Sequence, residues 1–267
     1  MKTKSRKGAT LKQVVASIER IAPPELAEDW DNTGLLLSPS RGARIQRIML
    51  TIDCSPAVAA EAVQRRCDCI ISYHPPIFSP INRLSGDRAT DRRLLRLIES
   101  RVAVYSPHTA LDRVAGGVND WLAAGVQGND AAVVREVPEG PGRLVAFRKG
   151  IALKTLTDRV RRYLKVPYLR VARPDGRARP VRRVALCAGA GGSTLDHTDA
   201  DALVTGEMKH HDLLAANARG VTVILSEHTH TERGYLPVLK KRLARELPEG
   251  VSLLIARTDR DPVSLLR

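Results

Sequence analysis

Aromatic residues make up only 3% of the 267-residue chain, which removes the repeated stacking platforms that single-stranded nucleic-acid binders use. No run approaches the roughly 18 apolar residues of a membrane-spanning helix, so no span is expected. The basic stretch Met1 to Thr10 is not followed by an apolar core, which argues against a secretory signal. Only four cysteines occur, Cys54, Cys67, Cys69 and Cys187, and the one close pair has no second pair to complete a structural zinc site. They read as reduced, buried small hydrophobes in a reducing compartment, and a cytoplasmic location is expected.

Acidic residues are also in deficit. Lys and Arg number 43 against 29 Asp and Glu, a net charge of +14, and the excess is concentrated between Arg143 and Arg183. Such a block attracts anions: a phosphorylated small molecule or nucleic acid. An Arg-rich composition on a solvated face is the plainer account of it.

What is present is an alternation of strands and helices. Apolar residues at helical spacing mark Leu11 to Ile21, closed by Pro23-Pro24. A strand over Arg47 to Ile52 leads to Ser55-Pro56, an N-cap followed by proline at the first helical position. A second strand, Asp68 to Ser72, runs into Tyr73-His74-Pro75-Pro76. Helix Arg92 to Ser100, strand Val102 to Tyr105, a loop through Asp112 and helix Asn119 to Ala124 follow. Gln127 to Pro141 reads as loop. A second series holds a helix at Leu156 to Leu164 and strands at Arg183 to Leu186, Ala202 to Val204 and Val221 to Leu225. The expected fold is α/β: two similar intertwined lobes, about 1–126 and 143–267, with mixed, largely parallel sheets and no inserted middle domain.

Ligands of α/β sheets bind beyond the carboxyl ends of strands. His74, Asp112, Glu207 and His228 all follow predicted strands. Glu232 lies four residues after His228, on the same face if a helix starts near Thr229, whereas His230 points elsewhere. Imidazoles and carboxylates without thiolates suit Zn, Mn, Fe, Co or Ni. A pair of such ions needs bridging carboxylates, for which Asp112 and Glu232 are the candidates, and activates water for hydrolysis. Gly189 to Gly192 lacks the Lys-Ser/Thr end of a phosphate loop and reads as a close strand–helix turn. His211 could line the site or lie at the surface. Neither Ser55 nor Ser226 has the partners of a serine hydrolase.

Several segments together resemble the NIF-three-like family, also described as dinuclear metal centre proteins or GTP cyclohydrolase I type 2 homologues. They are Trp30-Asp31-Asn32-Thr33-Gly34-Leu35, Ser72-Tyr73-His74-Pro75-Pro76-Ile77-Phe78, His108-Thr109-Ala110-Leu111-Asp112, Gly116-Gly117-Val118-Asn119, Thr205-Gly206-Glu207 and His228 through Glu232. The resemblance spans nearly the whole chain. It implies a two-lobed α/β fold, a toroidal homohexamer and a dinuclear metal site with His74, Asp112, His228 and Glu232 as ligands. His108 would line that site. The implied activity is metal-assisted hydrolysis of a nucleotide, by opening of a purine ring. The alternatives are a ring-shaped metal-binding regulatory or nucleic-acid-binding protein without catalysis, and a remnant fold whose metals serve stability. Tyr73 stands where many bacterial members have a second His, as in the eukaryotic branch. A phenol with an ordinary pKa near 10 binds a metal only if that value is lowered, so one of the two metal positions is expected to be weak or absent.

Overall fold

The computed structural model describes residues 8–39, 44–176 and 179–264. The basic N-terminal residues before Gly8, and Arg177 of the basic block, lie outside them. The chain forms two compact units. The first takes the described residues up to Val114 together with Leu236–Pro262, and the second takes Ala115–Tyr235 with a short stretch from Val263.

In the first unit, helix Leu11–Glu19 starts with a capping box. Thr10 Oγ1 accepts from Gln13 N at 3.2 Å, and Gln13 Oε1 accepts from Thr10 N at 2.8 Å. Ser55 caps helix Pro56–Gln64, accepting from Val58 N at 3.3 Å, with Pro56 at the first helical position. The five-stranded sheet has the order Ser252–Ile255, Arg47–Thr51, Cys69–Ser72, Ala103–Ser106, Gly34–Leu37. The first four strands are parallel and Gly34–Leu37 is antiparallel. The central strands are buried along their length, as both-face coverage requires. Met49, Ile70 and Val104 of these strands pack against Val58, Ala62 and Leu97 of the flanking helices.

The second unit holds a six-stranded mixed sheet in the order Ala132–Glu136, Arg143–Ile151, Val181–Cys187, Ala202–Thr205, Thr222–Leu225, Arg170–Ala172. Its three central strands are parallel to one another, and the outer pairings are antiparallel. Ala185, Leu203 and Val223 build the core with Leu144, Leu195 and Ala216.

The architecture is therefore mixed α/β, as expected, but two local readings change. Residues from His108 form a short helix, His108–Arg113, rather than a loop. The stretch read as loop before Pro141 contains strand Ala132–Glu136, whose residues are almost all exposed, so it shows no buried apolar face in the sequence. All four cysteines are free and buried. Burial pushes the Cys54 and Cys67 thiols up to about 11 and Cys69 up to about 12, so none of these three is poised as a thiolate ligand. Among the described residues, no helix is long and apolar enough to cross a membrane.

Candidate metal centre

In each unit, the parallel strands end in chemistry. In the first unit the chain leaving Cys69–Ser72 is pinned as it departs. Tyr73 N donates to Thr51 O at 2.9 Å and His74 N to Ile52 O at 3.0 Å, while Ser106 Oγ donates to Tyr73 O at 2.8 Å. The His74 ring is then fixed by Asp53, which follows the neighbouring strand: Nδ1 lies 2.9 Å from Asp53 Oδ1. His108 is held in the same way, Nδ1 at 2.7 Å from Asp31 Oδ1. An ionised carboxylate only accepts, so in each pair Nδ1 carries the hydrogen and Nε2 is the nitrogen turned outward. Burial alone would raise the Asp31 carboxyl, but hydrogen bonds from the His108 and Thr109 side chains and the charge of His108 hold it below its ordinary value.

Asp112 is buried on the short helix, and Tyr73 Oη donates to its Oδ1 at 2.5 Å. The phenol standing in the place of an imidazole therefore grips a predicted ligand. The rings form a compact cluster. His74 and His108 centroids are 5.4 Å apart, and Tyr73 sits 5.5 Å from His108, both edge to face.

In the second unit His228 follows strand Thr222–Leu225, and Glu227 just before it has φ of +70°, a conformation rarely adopted by a side chain with a Cβ. The helix expected to start near Thr229 is a single turn, His230–Arg233, with Thr229 at its N-cap position. The pairing expected from the four-residue spacing is nonetheless present: His228 Nε2 lies 3.3 Å from Glu232 Oε1. Its Nδ1 is 2.9 Å from Glu207 Oε1, the carboxylate after strand Ala202–Thr205. With Nδ1 donating to Glu207, Nε2 of a neutral ring is an acceptor facing another acceptor, an arrangement that a proton or a metal ion between them resolves. Glu232 is 1% exposed, so its charge requires such compensation.

Gly189 explains the glycine-rich loop. Its φ is +65°, and a Cβ there would sit 2.8 Å from Glu232 Oε1 and 3.0 Å from His228 Nε2. Its N–H donates to Thr231 Oγ1 at 2.8 Å, and Thr231 Oγ1 donates to His228 O at 2.6 Å. The loop is a close turn that lets these side chains approach. His230 points away, its Nδ1 2.5 Å from Ser226 O, and His211 is exposed.

Sequence reasoning singled out His74, Asp112, His108, Glu207, His228 and Glu232 but missed Asp53 and Asp31 as the groups that orient imidazoles. Asp53 had a signal, since it follows a strand next to the one that delivers His74. Asp31 lies in a turn-like segment and had none beyond its acidic neighbours. Outer carboxylates of this kind typically accompany metal-binding histidines, fixing their tautomer and raising their basicity. Imidazole nitrogen and carboxylate oxygen, with no thiolate, are donors that could bind a metal ion.

Fold and site thus define a mixed α/β protein with carboxylate-oriented histidines at its strand ends. The chain belongs to the Duf34/NIF3 (NGG1p interacting factor 3) family, whose sequence model matches residues 9–262. The protein NIF3 homolog of Schizosaccharomyces pombe is 39% identical over 280 residues, covering 99% of this chain and 100% of the relative. The NGG1-interacting factor 3 of Saccharomyces cerevisiae is 36% identical over 285 residues, covering 96% and 97%. A Bacillus cereus protein related to NIF3 shares the fold with a TM-score of 0.81 at 19% identity, over 98% of this chain and 100% of that one. Reduced HcgD from Methanocaldococcus jannaschii does so with 0.81 at 24% identity, over 93% and 98%.

Proposed function

We propose that the protein is a cytoplasmic metal-dependent hydrolase acting on a nucleotide or a related phosphorylated small molecule. Its metals would be two divalent ions drawn from Zn, Mn, Fe, Co or Ni. The ligands in this reading are His74, Asp112, His228 and Glu232, residues whose side chains offer nitrogen or carboxylate oxygen donors. The observation that carries it is the threefold repeat of one device: Asp53, Asp31 and Glu207 each bind an Nδ1 and leave the Nε2 of that ring as the nitrogen available to a metal. When bound, such ions polarise the scissile group and lower the pKa of water so that it attacks at neutral pH.

The chain's own residues divide the remaining work. Asp53 and Glu207 hold His74 and His228 in the binding tautomer. Tyr73 donates to Asp112 and so acts as a positioning residue rather than a ligand, which leaves one metal position with fewer donors. His108, braced by Asp31, is the residue placed to take or return a proton. Exposed Arg148, Lys149, Arg161 and Arg182 supply positive charge for a phosphorylated substrate. The chain is further proposed to assemble as a homohexamer, on the strength of its family.

The test is elemental analysis of the purified protein together with a nucleotide screen in Mn, Zn or Co. Wild type should hold up to two ions per chain and turn over at least one nucleotide, with both properties reduced in Asp112→Ala. Bound metal without turnover of any nucleotide would leave the regulatory reading, and turnover unaffected by Asp112→Ala would sink the assignment of ligands.

A further inference from the structure

We propose that Trp30 and Phe78 form a stacking platform for a planar heteroaromatic ring, such as a nucleobase, beside the His74–His108 cluster. This deepens the function proposed above and rests on it for the position of the chemistry.

The chain has two tryptophans and two phenylalanines. Phe147 is buried, and Trp121 packs against Tyr163 with ring centroids 5.1 Å apart. The other two are spent at the surface: Trp30 is 62% exposed and Phe78 53%. They are not scattered. Their centroids lie 6.1 Å apart with planes at 53°, and the Trp30 ring meets His108 edge to face at 6.2 Å. Through His108 the aromatic surface continues to His74 and the buried Tyr73.

The backbone on both sides is pinned although the rings are not covered. Asp31, next to Trp30, binds His108 Nδ1 and Thr109 N. Asn32 Nδ2 donates to Ile77 O at 2.5 Å, tying the Trp30 segment to the Phe78 segment. Arg93 donates to Pro76 O at 2.9 Å. A tryptophan serving only the core would be buried by such anchoring, since burial of its large surface is what stabilises. Here the anchoring presents it instead. With their planes at 53°, one ring can stack on a planar ligand while the other meets its edge, and the two fall far short of the roughly 800 Å² per partner of a stable protein interface. The occupant that fits is therefore a flat ring, and every heteroaromatic base offers a π face.

The test uses the metal-loaded full chain and calorimetry with two probes, guanosine monophosphate and ribose 5-phosphate. Loss of one stacking partner should weaken the nucleotide by about 5- to 150-fold in Trp30→Ala and Phe78→Ala, with partial recovery in Trp30→Phe. Ribose 5-phosphate should bind the variants as it binds wild type, and their metal content should be unchanged. Equal weakening of both probes would overturn the platform, as would nucleotide affinity indifferent to both alanine variants. A change in the mass of the particle in solution without a change in nucleotide affinity would assign the patch to a second copy of the chain instead. Metal content in Asp112→Ala, measured separately, tells failure of the metal reading from failure of this one.

Discussion

Single side chains decide the tautomer of each imidazole. Asp53 and Glu207 touch no proposed substrate, yet they set which nitrogen of His74 and His228 carries the hydrogen. Replacing either by its amide, Asp53→Asn or Glu207→Gln, should weaken metal binding by about 10- to 100-fold while the fold persists. Competition with a metallochromic chelator measures this, and unchanged affinity would mean that these carboxylates are incidental. Gly189 is the tightest point. Gly189→Ala puts a methyl against Glu232 and His228 in a left-handed backbone, where a Cβ costs roughly 1–2 kcal/mol. A lower melting temperature together with lost metal is the expected result. At this scale the proposed ligands could be read from the sequence, because histidines and acids after strands are visible there. Their orienting partners could not, because Asp53 reaches His74 across two strands that only pairing brings together.

Elements place these residues through the direction of their strands. Arg47–Thr51, Cys69–Ser72 and Ala103–Ser106 run parallel, so Asp53, His74 and His108 emerge at one end of one sheet. The Glu61 carboxylate, on helix Pro56–Gln64, fastens a distant segment. It accepts from Arg257 N at 2.8 Å, Thr258 N at 2.9 Å and Thr258 Oγ1 at 2.8 Å. Burial would raise its pKa, but the Thr258 hydrogen bonds, with those of Arg65 and Arg257, hold it below the ordinary 4.5. A depressed carboxyl stabilises above its unfolded value, and that contribution disappears as pH falls through the folded one. Glu61→Gln should therefore cost about 1–3 kcal/mol near neutrality. The gap in melting temperature between wild type and variant should close below pH 4.5, as thermal scans from pH 7 to pH 3 would show. A gap that stays constant with pH would refute the role of the charge.

For the whole molecule, charge reads differently in three dimensions. Part of the basic block is matched by acids from elsewhere: Arg143 pairs with Asp120, Arg159 with Asp130, Arg170 with Glu227 and Arg183 with Asp199. The exposed pair Arg183–Asp199 contributes little to stability, but all four thin the positive surface that a polyanion would meet. A 20-nucleotide DNA is accordingly expected to bind weakly even at low salt, with a shallow dependence of affinity on salt. A steep slope in fluorescence anisotropy, reporting many phosphate contacts, would favour the nucleic-acid reading over the hydrolase. Sedimentation should show six chains per particle; a monomer would overturn the proposed hexamer.

The sequence by itself determined the alternation of strands and helices, the cap at Ser55 and the residue types suited to divalent ions, because each depends on neighbours a few positions away. Only the tertiary structure decided that Ser252–Ile255 returns to pair with Arg47–Thr51, that Tyr73 grips Asp112 and that Asp31 braces His108. Those contacts join residues tens to hundreds of positions apart. Sheet order and register, which no local pattern encodes, are what bring them within hydrogen-bond reach.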